Sequence, residues 1–229
     1  MINFWSFRPE YKKYRKNILR IIDKSLNSGV TFFGNNLRNF EKNFTRKYNS
    51  NFGIAVGSGT DAIMISLLSI GIKKGDEVIT AANTAIPTIS AIISSGGKPV
   101  LADINKDYLI NSESVKNLIT RKTKVIIPVH LYGQCADMDE INKIAKKNKL
   151  LVIEDVAQSL GAKFKNKMAG TFGLAGAFSL HPLKSLSCAG DGGFIATNNE
   201  NLAKKLYMIR NHGQKNRNVI KYYGFNSRL

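Results

Sequence analysis

The segment Leu150-Leu151-Val152-Ile153-Glu154-Asp155 constrains this chain more than any other feature, because four consecutive apolar side chains leave no polar face before two acids close the run. Strand side chains alternate between faces. A strand apolar on both faces must therefore be covered on both, as in a sheet buried between helices. Beside this run, 150–154, six more read as candidate strands: 52–56, 77–80, 99–102, 124–130, 175–180 and 194–197. Candidate helices lie between them at 60–70 closed by Gly71, 86–95 closed by Gly96, 112–119, 137–147 and 201–210. Asp137, with Glu140 three residues on, and Asn111 or Ser112 supply N-cap chemistry. The alternation predicts an α/β fold: a mostly parallel sheet with helices on both faces.

The first 49 residues read differently, as an N-terminal helical arm: an amphipathic helix over 11–26, an irregular stretch over 28–36, and a second helix whose Phe40, Phe44 and Tyr48 stripe is core packing. Residues 50–229 form the main domain, and 229 residues suffice for one sizeable core. The longest uncharged apolar run, 67–72, falls far short of the ~20 residues that span a bilayer. Residues 1–15 mix Phe4, Trp5 and Phe7 with charge, unlike a signal peptide, so the expected location is the cytoplasm and no membrane is involved. Cys135 and Cys188, far apart and outside any metal-binding spacing, read as reduced thiols. A net charge of +18 raises nucleic acid as a partner, but the lysines are scattered and interleaved with no stacking aromatics. An anionic small substrate fits that field better.

Three motifs carry chemistry. Gly57-Ser58-Gly59-Thr60-Asp61-Ala62 lies between a strand and a helix start, where free N–H groups and the helix dipole favour an anion. The same residues match a dinucleotide fingerprint, with Asp76 and Glu77 near the spacing of a ribose-binding acid. That acid belongs at the end of the second strand, however, whereas Gly75-Asp76-Glu77 is the turn entering it. A single-phosphate site, a dinucleotide site and an ordinary tight turn stay open. Asp155 stands at the carboxyl end of an apolar strand, where ligands of open α/β sheets bind, although a strand-end Asp can also simply cap a helix. Lys184 follows Phe178-Ser179-Leu180-His181-Pro182-Leu183 and precedes Gly190-Asp191-Gly192-Gly193, which points it into a tight pocket; alone it would be an ordinary loop lysine.

A phosphate cradle, a strand-end carboxylate and a loop amine together suit pyridoxal 5′-phosphate (PLP). The chain resembles the DegT/DnrJ/EryC1/StrS family of PLP-dependent sugar aminotransferases through these three motifs and through Val129-His130-Leu131-Tyr132-Gly133-Gln134, Glu154-Asp155-Val156-Ala157-Gln158, Arg210-Asn211-His212-Gly213 and Gly224-Phe225-Asn226-Ser227-Arg228-Leu229. The resemblance implies the large PLP-binding domain of the aspartate aminotransferase fold type I. It implies that Gly59, Thr60, Asp61 and Ser179 bind the phosphate, Asp155 pairs with the pyridinium nitrogen, Gln158 bonds near the phenolic oxygen, and Lys184 forms the Schiff base. Asn226 matches a residue reaching the neighbouring subunit's cofactor, which implies a homodimer. The implied substrates are a nucleotide-diphosphate keto sugar and an amino donor, glutamate by analogy.

The sequence departs from the family at Ala85, where an aromatic ring usually stacks on the cofactor, and the smaller C-terminal domain into which the family continues is expected to be missing after residue 229. An inactive or regulatory fragment and a Rossmann-type dehydrogenase are the rival expectations. His130 and His212 are expected to satisfy local hydrogen bonds, without an identifiable carboxylate partner, and His181 to neighbour Lys184 without replacing it.

Overall fold

The computed structural model describes residues 5–229, so the first four residues of the expected arm, Phe4 among them, lie outside the described residues. The chain separates into two units, residues 1–40 and 41–229. In the first, α1 (Arg8–Asn27) carries Pro9 in its opening turn, where a missing N–H costs nothing. It buries none of its residues. α2 (Asn35–Tyr48) starts in this unit and runs into the second.

The second unit holds the sheet. In chain order it comprises β1 (Phe52–Val56), α3 (Gly59–Ser69), β2 (Glu77–Ala81), α4 (Ile86–Ser94), β3 (Lys98–Ala102), α5 (Ser112–Leu118), β4 (Thr123–Ile127), α6 (Met138–Lys147), β5 (Leu151–Asp155), β6 (Lys163–Phe164), β7 (Lys167–Met168), β8 (Ala175–Ser179), β9 (Gly193–Thr197), α7 (Glu200–Ile209), β10 (Gln214–Asn216) and β11 (Val219–Ile220). Seven strands form one sheet in the order β1-β9-β8-β5-β4-β2-β3. Only β9 runs against the rest, pairing antiparallel with both β8 and β1. The expected mostly parallel α/β sheet is what forms.

Alternation of side chains explains why both faces are covered. Val78, Val125, Ile127 and Ile153 enter one apolar cluster with Ile65 of α3, Ile92 of α4 and Leu206 of α7. Ile79, Ile126 and Val152, one residue out of phase, enter a second with Val115 of α5 and Ile141 of α6. Phe44 and Tyr48 pack into the core as the stripe predicted: Phe44 stacks on Tyr48 at 4.7 Å and meets Phe194 at 4.0 Å and Phe178 at 5.1 Å between ring centroids.

The anticipated caps form. Asn111 accepts from Ser114 N–H, and Asp137 accepts from Asp139 and Glu140 N–H. Two hairpins were not anticipated. The β6–β7 turn places Lys165 and Asn166 at φ 47° and 65°, the paired left-handed geometry of a two-residue hairpin loop. β10 and β11 form the other. No helix among the described residues is long and apolar enough to cross a membrane, and no group of His, Cys, Asp and Glu among them could hold a metal ion.

Candidate functional site

Parallel pairing fixes the geometry of the site. Asp155, last residue of β5, stands opposite Ala177 of β8. Two residues further, Ser179 pairs with Gly193 of β9. Gly193 in turn lies against the start of α3 so closely that a Cβ on it would sit 2.1 Å from the Ser58 carbonyl oxygen. A Cβ on Gly59 would meet Ser179 Cβ at 2.7 Å. The strand-end acid, Ser179 and the glycine turn therefore line up across three neighbouring strands, and β8 leads directly into the loop bearing Lys184.

The turn is built as a cradle. Ser58 caps α3, its hydroxyl accepting from Asp61 N–H at 3.0 Å. Ser227 accepts from Gly57 N–H at 2.9 Å and donates to the Asp61 carboxylate at 2.7 Å. Both the N–H and the carboxylate of Asp61 are thus committed to holding the turn. The N–H groups of Gly59 and Thr60 have no protein acceptor among the described residues, and they begin an 11-residue helix. Glycine at 59 and 193 lets the start of α3 lie close against Ser179 and β9, an arrangement whose donors and helix dipole could hold an anion. Ser179 Oγ accepts from His181 N–H at 3.3 Å, which leaves its own proton available.

Asp155 is 4% exposed, and each carboxylate oxygen accepts one hydrogen bond: Oδ1 from Ala157 N–H at 3.0 Å and Oδ2 from the Thr88 hydroxyl at 2.8 Å. Lys184 is half-buried, its backbone N–H closing a turn onto His181 C=O at 2.8 Å. Among the described residues its amine has no acceptor. Gln158 is exposed, and its backbone C=O accepts from Gly133 N–H at 3.1 Å. Asn226 is exposed and accepts from Arg228 Nε at 2.7 Å, while its neighbour Ser227 reaches the glycine turn. Ala85 is the exposed residue preceding α4.

Sequence reasoning missed the parts played by Thr88, Ser227 and Glu154. Thr88 and Ser227 carried no spacing signal. His130 does satisfy hydrogen bonds, as expected, and the carboxylate partner that the sequence did not identify is Glu154: both side chains are fully buried, with Nε2 3.0 Å from Oε2. Nδ1 of His130 accepts from Ala136 N–H at 3.1 Å, so the ring proton sits on Nε2 and is donated to Glu154. His212 was expected to satisfy a local bond, yet its ring is exposed and bonds nothing among the described residues; only its backbone N–H is used, by Phe225 C=O at 2.9 Å.

The dinucleotide alternative does not fit this geometry. Glu77 opens β2 at the amino end of the sheet, bonded to Thr120 at 2.6 Å and Lys98 at 3.4 Å, and Asp76 caps a turn through Lys73 N–H at 2.9 Å. Neither acid lies at the carboxyl end where a ribose would be held.

Residues 12–229 match the model of the DegT/DnrJ/EryC1/StrS aminotransferase family. The chain belongs to this family. Among curated relatives, a pleiotropic regulatory protein of Geobacillus stearothermophilus is 42% identical over 221 residues, spanning 96% of this chain and 59% of that protein. A dTDP-3-amino-3,4,6-trideoxy-alpha-D-glucose transaminase of Micromonospora megalomicea is 39% identical over 98% of this chain and 61% of its own length. DesV of S. venezuelae superposes with a TM-score of 0.96 at 35% identity, covering all of this chain and 62% of that one. NtdA of Bacillus subtilis, solved with bound cofactor PMP, superposes with a TM-score of 0.87 at 40% identity over 95% of this chain and 50% of that one. This DegT/DnrJ/EryC1/StrS chain thus spans about three fifths of the curated relatives it matches.

Proposed function

We propose that this chain is the cofactor-binding part of a PLP-dependent aminotransferase, with a nucleotide-diphosphate keto sugar as acceptor and glutamate as amino donor. The observation that carries the reading is the alignment of Asp155, Ser179 and Gly59 across β5, β8 and the start of α3, beside the Lys184 loop. N–H groups and an amine that bond no acceptor among the described residues, with a glycine-lined approach, fit the phosphate and the aldehyde of PLP.

In this reading Gly59 and Thr60 give N–H groups to the phosphate, Ser179 adds its hydroxyl, and Asp61 holds the turn. Asp155 would pair with the ring nitrogen and Gln158 would bond near the phenolic oxygen. PLP supplies an electron sink when bound. Lys184 would hold it through its amine, and the same amine would move the proton at the reacting carbon. Asn226 serves the neighbouring subunit of a homodimer. Residues 1–49 act as the helical arm and 50–229 as the PLP-binding domain of a cytoplasmic enzyme. The +18 charge draws the diphosphate of the sugar substrate.

Adding PLP to the purified chain, scanning for a visible band, then reducing with borohydride and mapping the labelled peptide tests the assignment. The label is expected on Lys184, and Lys184→Ala should show neither band nor label. A wild-type chain without a band, or a band retained by the variant, would sink it.

A further inference from the structure

We propose that Thr88 is a positioning residue that aims the Asp155 carboxylate through a hydroxyl relay from Thr84. The inference rests on the PLP reading above and adds to it a residue no motif identified. Its geometry is one-directional: Thr84 Oγ1 donates to Thr88 Oγ1 at 2.8 Å, and Thr88 Oγ1 donates to Asp155 Oδ2 at 2.8 Å. An ionised carboxylate only accepts, so the Thr88 proton must point at Asp155, and its oxygen is then free to receive the Thr84 proton.

The backbone of Asp155 is already fixed. Its N–H donates to Pro128 C=O at 3.0 Å and its C=O accepts from His130 N–H at 2.9 Å. What the backbone leaves open is rotation of the carboxylate plane, a broad torsion with no sharp preferred well. Two donors on different elements close that freedom. Ala157 N–H holds Oδ1 from the turn after β5, and Thr88 holds Oδ2 from the first turn of α4. Thr88 is 2% exposed and is the only side chain bonded to this carboxylate among the described residues. One lone-pair direction on each oxygen remains for an N–H brought by a ligand.

A purely structural Thr88 would affect folding alone, whereas a positioning Thr88 affects how the bound ring responds to protons. Wild type, Thr88→Val and Thr88→Ser are therefore titrated with PLP, reading the dissociation constant from the visible band, the pH midpoint of that band and the urea midpoint of the protein. Thr88→Val keeps the shape without the hydroxyl. It should bind PLP about tenfold more weakly and displace the pH midpoint, and Thr88→Ser should restore both. Equal affinity and equal midpoint in wild type and Thr88→Val would overturn the proposal, whatever happens to the urea midpoint. If Thr88→Val does not fold, half-buried Thr84 gives the second test: Thr84→Val should weaken binding several-fold, and an unchanged value overturns the relay. No band in wild type would instead remove the PLP reading and this inference with it.

Discussion

His130 Nε2 donates to Glu154 Oε2 across 3.0 Å with both side chains fully buried, one residue before the strand-end acid. Glu154 uses its remaining capacity on backbone: Gly170 N–H shares Oε2, and Phe172 and Gly173 N–H share Oε1, each at 2.7 Å. One carboxylate thereby ties the segment after β4 to the loop entering β8, and Asp155 stands between the two.

Replacing Glu154 by Gln should destabilise the chain by about 2–4 kcal/mol, because the new amide turns a donor toward other donors in a buried site. Urea unfolding followed by circular dichroism measures this. A loss below 0.5 kcal/mol would show that the four bonds are not jointly satisfied in solution.

Gly59→Ala asks how close the cradle is. The added Cβ lies 2.7 Å from Ser179 Cβ and 3.1 Å from Ser179 Cα, so β8 and the start of α3 must separate. PLP affinity should fall more than about tenfold while the secondary structure persists. Gly193→Ala meets backbone instead, 2.1 Å from the Ser58 carbonyl oxygen, and should cost about 3 kcal/mol of stability.

How far the sequence could be read depended on range. The apolar runs announced the main strands, since burial on both faces removes polar residues from consecutive positions, as at Val152 and Ile153. Asp155 stood out because it ends such a run. The β6–β7 hairpin stayed hidden because Lys165-Asn166 adopts positive φ without a glycine to advertise it. Thr88 and Ser227 stayed hidden because their bonds join residues 67 and 166 positions apart, and a hydroxyl's partner leaves no local pattern. The His130–Glu154 pair was closer to legible: His130 follows one apolar strand, Glu154 lies near the end of its neighbour, and a buried acid beside Asp155 needed a donor.

Ser227→Ala should loosen the end of the chain from the glycine turn. It deprives the Gly57 N–H and the Asp61 carboxylate of the same partner, a loss of about 1–3 kcal/mol. Hydrogen exchange should rise at Gly57 and across residues 224–229 before it rises in β4 or β5. Uniform acceleration would mean the contact holds no local structure.

Alkaline pH should weaken the fold through Cys135. Burial, with the Glu154 and Asp137 carboxylates adding to it, pushes its thiol up to about 12. An unfolded cysteine ionises near about 8.5, so above that pH the unfolded chain releases a proton the folded chain retains. The stabilising contribution is complete below about 8.5 and is lost progressively as pH rises toward 12. Cys188 and Tyr48, both raised mainly by burial, act in the same direction. The urea midpoint should therefore drop between pH 7.5 and 9.5, and Cys135→Ala should flatten part of that slope. The thiolate is also the reactive form, so Cys135 should resist iodoacetamide at pH 8 in the native chain and react once urea unfolds it. Rapid native-state labelling at that position would contradict the burial on which both expectations rest.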